Sequence, residues 1–255
     1  ALVAAGLRVN GAVAAMPLSF LATWLVARRA AEGLPAPRGL EAAERAAMIA
    51  FAGPVVASLA GQILVNNSDV LIVKHFFPGP EAGQYAALAL TGRIVFFATW
   101  SVVAVLFPIV AQKHQKGEPH RHLLWGAIGL VLGVSGAIVA VLLLLPNLVV
   151  DVLFGPEYRQ IAPLLWLYGI ATTLYAVANV IVNYALSTGV TGGSWIALCA
   201  GVAQVAALWF VHGSLREVVL VQIAIMAGLM APLAVWSVIA GRSQREGVAA
   251  EPAAG

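Results

Sequence analysis

Seven long apolar runs, joined by short polar stretches, account for almost all of this 255-residue chain. Each is long enough to cross a bilayer as a helix, which takes about 20 apolar residues. Hydrophobic residues make up 61% of the sequence and charged residues 10%, against roughly 25% charge in a soluble domain. The chain therefore folds in lipid. There, every backbone N–H and C=O needs a partner within its own segment or within a closed barrel. These runs do not alternate polar and apolar residues as barrel strands do. The expected fold is an all-α polytopic membrane bundle, with spans at about 4–27, 46–77, 82–111, 121–145, 160–186, 193–213 and 217–240.

Cations in short loops orient such a bundle. Arg28, Arg29, Arg38, Arg45, Lys113, Lys116, Arg121, Arg242 and Arg245 all fall on one side, leaving Arg8, Lys74, Arg159 and Arg216 towards the other. The first side is expected to be cytoplasmic, with the C-terminus there. Anionic membrane lipids, rather than nucleic acid, are the expected partners of the +3 net charge. The longest connection on that side, stiffened by Pro35 and Pro37, marks a boundary between lobes, and Glu41 to Arg45 opens the next helix. The expected organisation is residues 1–29 as the last helix of an N-terminal lobe, 30–45 as a linker, 46–241 as a six-helix lobe and 242–255 as a disordered tail.

Polar groups inside the spans are candidates for function, because a charge at mid-bilayer costs about 2.5–3.5 kcal/mol on insertion scales. Asp69 follows Asn66, Asn67 and Ser68 on the second span, and Arg93 lies within the third. The two spans form a hairpin about Pro78-Gly79-Pro80, which brings Asp69 and Arg93 within about one helical turn, roughly 5 Å. They pair structurally, or they serve an anionic headgroup or a coupling cation, or Asp69 simply reaches the outer interface. Asn179 and Asn183 stand at i,i+4 on the fifth span beside Tyr175 and Tyr184. That stripe bonds a neighbouring helix or lines a solvated cavity. Gln204 and Gln222 read the same way. Pro17, Pro54 and Pro232 each remove a backbone hydrogen bond, and Pro54 and Pro232 are the candidate hinges. Gly126, Gly129, Gly133 and Gly136 on the fourth span form a small-residue face suited to close helix packing or to a sliding contact.

Other chemistry is poorly provided for. Cys199 is the single cysteine and reads as a small buried hydrophobe. His114, His120 and His122 sit among cations and read as a solvated basic loop rather than a metal site. The chain has no P-loop, no HExxH and no GxSxG. Neither an enzyme activity nor a cofactor is expected.

The stretch FAGPVVASLAGQILVNNSDVLIVKHFF, followed by AGQYAALALTGRIVFF, resembles the second half of polysaccharide-biosynthesis (Wzx-like) flippases. These belong to the multidrug/oligosaccharidyl-lipid/polysaccharide (MOP) superfamily. The shared features are Pro54, Asp69, and Gly83 with Tyr85; a second set is Phe154, Gly155 and Tyr158 in VLFGPEYRQIAPLLWL. The resemblance covers about residues 46–240. It implies a two-lobe transporter in a bacterial inner membrane, of which this chain carries the second lobe and five N-terminal helices are missing. It also implies a polyprenyl-pyrophosphate-linked oligosaccharide as substrate, moved by alternating access, with Na⁺ or H⁺ as a coupling ion. A drug or small-metabolite exporter of the same superfamily, or a non-transporting membrane scaffold, would share the architecture.

Overall fold

The computed structural model describes residues 8–32, 39 and 41–249, with backbone alone at 8, 9, 12, 13 and 234–249. Pro35, Pro37, Arg38 and residues 250–255 lie outside the described residues, as do the side chains of Arg8, Arg242 and Arg245. The elements in order are α1 (Arg8–Ala31), α2 (Ala42–Phe76), α3 (Gly79–Gln115), α4 (Arg121–Leu144), α5 (Pro146–Leu153), a 3-10 helix (Pro156–Leu164), α6 (Leu165–Ser187), α7 (Gly192–Phe210) and α8 (Leu215–Ala249). Among the described residues there is no strand. Among the described residues, six helical stretches are long and apolar enough to cross a membrane, the 3-10 helix with α6 forming one of them. The chain is a multi-pass membrane protein.

The chain separates into two compact units, Ala1–Ala46 and Ala47–Gly255. In the first, α1 exposes Met16, Phe20 and Trp24, as a helix surface facing lipid does. Its hydroxyls stay satisfied internally: Ser19 donates to the Met16 carbonyl and Thr23 to that of Ser19.

In the second unit, α6 is the central helix and packs against α3, α4, α7 and α8. Its span is 72% buried, against 22–28% for the other five. The periphery turns Leu71, Phe97, Trp125, Leu144 and Phe210 outward. Composition explains the choice of centre. Small and polar side chains from Tyr168 to Ser187 suit contact with protein, whereas Leu-rich α4 suits lipid.

Close approach between helices occurs where glycine permits it. A Cβ on Gly61 of α2 would stand 2.7 Å from the Ala197 carbonyl oxygen of α7. One on Gly201 of α7 would stand 2.9 Å from Leu64 Cβ. Buried Gln204 secures the same crossing, its amide donating to the Val65 carbonyl at 3.0 Å and to Ser68 Oγ at 3.1 Å.

Several expectations need correction. Gly126, Gly129, Gly133 and Gly136 have nothing within 4 Å of a Cβ position. The α4 glycine face is thus bare within this unit, because α4 meets α3 and α6 through Leu124, Ala127, Val131 and Ser135 instead. Cys199 is exposed on α7; the buried face of that helix runs through Gly201, Gln204 and Leu208. Residues 242–249, expected as part of a disordered tail, continue α8 as helix. The connection between α4 and α6 also has structure of its own. Gly155 turns the chain with φ 102°, a left-handed value that favours glycine. Arg159 then clasps Asp151 through both carboxylate oxygens, at 2.7 and 2.5 Å, which holds the Asp151 carboxyl below its ordinary range.

Candidate functional site

Asp69 is fully buried where α2 meets α3 and α6. Two tyrosines approach it from different helices. Tyr85 of α3 donates its hydroxyl to Asp69 Oδ2 at 2.9 Å, and Tyr168 of α6 donates to the same oxygen at 2.8 Å. Their rings meet edge to face. Gln222 of α8 also faces this carboxylate. The second oxygen, Oδ1, has no hydrogen-bond partner among the described residues.

Sequence dictates this arrangement through one glycine. On α3, Tyr85 and Gly92 are seven residues apart and share a face. A Cβ on Gly92 would stand 2.1 Å from Tyr168 Cε1. Gly92 therefore opens the space that lets the Tyr168 ring lie against α3 and reach Asp69.

The pairing of Asp69 with Arg93 is not what forms. Arg93 Nη2 donates to Asn67 Oδ1 at 3.2 Å, and among the described residues no Lys or Arg lies within ion-pair distance of Asp69. Helical geometry gives the reason. Two residues along a helix turn it by about 200°, so Asn67 and Asp69 point to opposed sides of α2. Arg93 is rotated by about 80° from Tyr85 on α3, which turns it towards Asn67. The guanidinium is half-buried, roughly 21 Å along α3 from its first residue. It faces Tyr168 as well as Asn67.

The remaining candidates extend the polar region along α6. Asn66 anchors its amide on the Gln62 carbonyl at 3.0 Å and faces the Tyr175 hydroxyl. Asn179, buried, donates to Tyr175 at 3.4 Å. Asn183 donates to both the side-chain and main-chain oxygens of Asn179, each at 2.9 Å. A water-sized cavity of about 10 Å³ adjoins Ser58, Tyr175 and Asn179. Helices α2 and α8 each continue as one helix past Pro54 and Pro232, with one backbone hydrogen bond missing at each proline, the first proline buried and the second exposed.

Two groups that define the site escaped the sequence reading. Tyr168 sits at the N-terminal end of the stripe Tyr168, Thr172, Tyr175, Asn179, Asn183, whose 3–4 spacing was the available signal. Gly92 carried no signal, since a glycine's value depends on what faces it. No family model, curated protein or solved structure matches the chain.

Proposed function

We propose that this chain is the second lobe of a membrane flippase that moves a lipid-linked oligosaccharide across a bacterial inner membrane by alternating access. The observation that carries the reading is Arg93, a guanidinium deep in a membrane helix whose hydrogen-bond partner is the neutral amide of Asn67. An intramembrane cation without an acid beside it is costly in lipid. It is suited to an anionic ligand such as the pyrophosphate of a polyprenyl-linked sugar, since guanidinium binds phosphate through paired N–H donors. The resemblance in sequence through Pro54, Asp69, Gly83 and Tyr85 supports the same reading.

Asp69 supplies the coupling site. A carboxylate buried with two hydroxyl donors and one open oxygen takes up a cation, H⁺ or Na⁺, when the lobe changes state. Uptake neutralises a charge that lipid disfavours, and a change in occupancy biases one arrangement of the lobes over the other. Pro54 and Pro232 interrupt the hydrogen-bond ladders of α2 and α8, where bending is easiest. No bond is made or broken in the cycle. The Lys113 end of the bundle faces the cytoplasm, following the distribution of loop cations.

Arg93→Ala in the full-length protein tests this. Surface glycan should be lost while the protein remains in the membrane at its normal level. Normal glycan with normal protein would refute the role of Arg93, and would favour a scaffold.

A further inference from the structure

We propose that the polar stripe of α6 is a proton conduit joining Asp69 to the His114–His120 pair at the Lys113 end of the bundle. The proposal rests on the transporter reading of Asp69 and selects H⁺ as its ion.

The stripe is continuous in sequence spacing and polar throughout, on a helix otherwise surrounded by protein. It begins where Tyr168 meets Asp69. Thr172, one turn on, is tied to the Tyr168 carbonyl at 3.0 Å. Tyr175, Asn179 and Asn183 follow as a bonded series. The water-sized cavity at Ser58, Tyr175 and Asn179 lies midway, with polar partners of the number a buried water needs. Amides do not relay protons themselves; they hold waters in line.

The stripe ends on ionisable groups rather than on an inert loop. Tyr184 follows Asn183 in sequence but is turned about 100° from it on the helix, so a bridging water completes that step; the Tyr184 hydroxyl lies 2.8 Å from His120 Nδ1, and His120 Nε2 lies 3.3 Å from His114 Nδ1. One tautomer assignment satisfies both bonds. The Tyr184 hydroxyl donates to His120 Nδ1, and His120 Nε2–H donates to His114 Nδ1. The Tyr184 hydroxyl passes its proton to His120 Nδ1 as it regains one from the water that bridges it to the stripe; His120 releases one from Nε2 to His114 Nδ1, and His114, which is exposed, releases one from its own Nε2 to water, after which rotation of the two rings restores the starting tautomers. Each ring gains one proton and loses one, so charge passes without accumulating. Asp69 correspondingly goes from carboxylic acid to carboxylate, held by the Tyr85 and Tyr168 hydroxyls.

The groups around the outlet suit transfer better than storage. His114, His122 and Lys113 face His120, and Arg121 faces Tyr184. Lys113 is paired with Glu118 at 2.7 Å. Partial burial, then these cations, push His120 below its ordinary value, so a proton does not rest there near neutral pH. At the other end Asp69 is faced by Tyr85, Tyr168 and Gln222, with no cation among the described residues within ion-pair distance.

The test uses the full-length protein reconstituted in vesicles, with time-resolved infrared detection of the Asp69 carboxyl band after a pH jump on the Lys113 side. The band is assigned by its loss in Asp69→Asn. Asn179→Leu and Tyr184→Phe should each slow proton exchange on the order of a hundredfold, with the equilibrium amplitude of the band unchanged. That amplitude reports an intact environment at Asp69, which a folding defect would not preserve. Wild-type exchange rates in both variants would overturn the conduit, as would a carboxyl band that does not respond to the pH jump. Glycan export in the same strains separates the two claims. Export lost in Asp69→Asn together with unaltered exchange in both variants refutes the conduit alone. Slowed exchange together with full export in Asp69→Asn upholds the conduit and refutes the coupling role of Asp69.

Discussion

Gly92 of α3 and Tyr168 of α6 fill complementary space: the missing Cβ of one is where the ring of the other lies, at 2.1 Å. The contact is rigid on both sides, since the Tyr168 hydroxyl is fixed on Asp69. Gly92→Ala must therefore push the ring away from the carboxylate. Overpacking of this kind costs about 1–3 kcal/mol. Tyr168→Phe, which removes the hydroxyl and keeps the ring, should cost about 1–2 kcal/mol. Unfolding in mixed detergent measures both, and a Gly92→Ala protein as stable as wild type would contradict the described contact.

Two sets of glycines make opposite predictions. Gly61 and Gly201 hold α2 against α7 backbone to backbone, so Gly61→Ala should destabilise by about 1–3 kcal/mol. Gly129 and Gly133 have no neighbour within 4 Å. Alanine at either should be neutral or stabilising, by up to about 1 kcal/mol from helix propensity. Comparing the unfolding midpoints of the three variants decides the matter. Destabilisation by Gly129→Ala would mean that α4 packs against something through that face.

Acid should loosen the Lys113 end of the bundle. Burial and neighbouring cations depress His120 in the folded protein, so folding favours the neutral ring. That contribution is complete above the usual imidazole value of about 6.5 and is lost as pH falls through the window beneath it. The Tm of the wild type should fall between about pH 7 and pH 5. His120→Asn should flatten the fall, because an amide does not titrate. Parallel Tm curves for the two proteins would show that His120 does not carry the effect.

The fold was legible because lipid leaves a chain few options. Runs of about 20 apolar residues have to be helical, and helices α2, α3, α4, α6, α7 and α8 fall where the runs are. Their ends shifted by a few residues, and the link from Leu145 to Leu164 gained α5 and a 3-10 helix, which short amphipathic segments do not announce. The site was legible in part. Asp69, Arg93, Asn66, Asn67, Asn179 and Asn183 stand out as polar residues in apolar runs, and the structure gathers them around α2, α3 and α6. Who pairs with whom was not legible. Counting along a hairpin gives depth but not rotation, and rotation sent Arg93 to Asn67 and left Asp69 to two tyrosines. The α4 glycines show the same limit, for a small-residue spacing states that close packing is possible there and not that a partner exists.

The most direct test of the account is flipping itself, measured in liposomes containing the full-length protein and a polyprenyl-pyrophosphate-linked oligosaccharide. Access of an external glycosidase to the sugar reports the leaflet. Transbilayer movement is expected with the wild type, and its loss with Arg93→Ala and with Asp69→Asn. Movement in the wild type no faster than in protein-free liposomes, or undiminished in both variants, would contradict it.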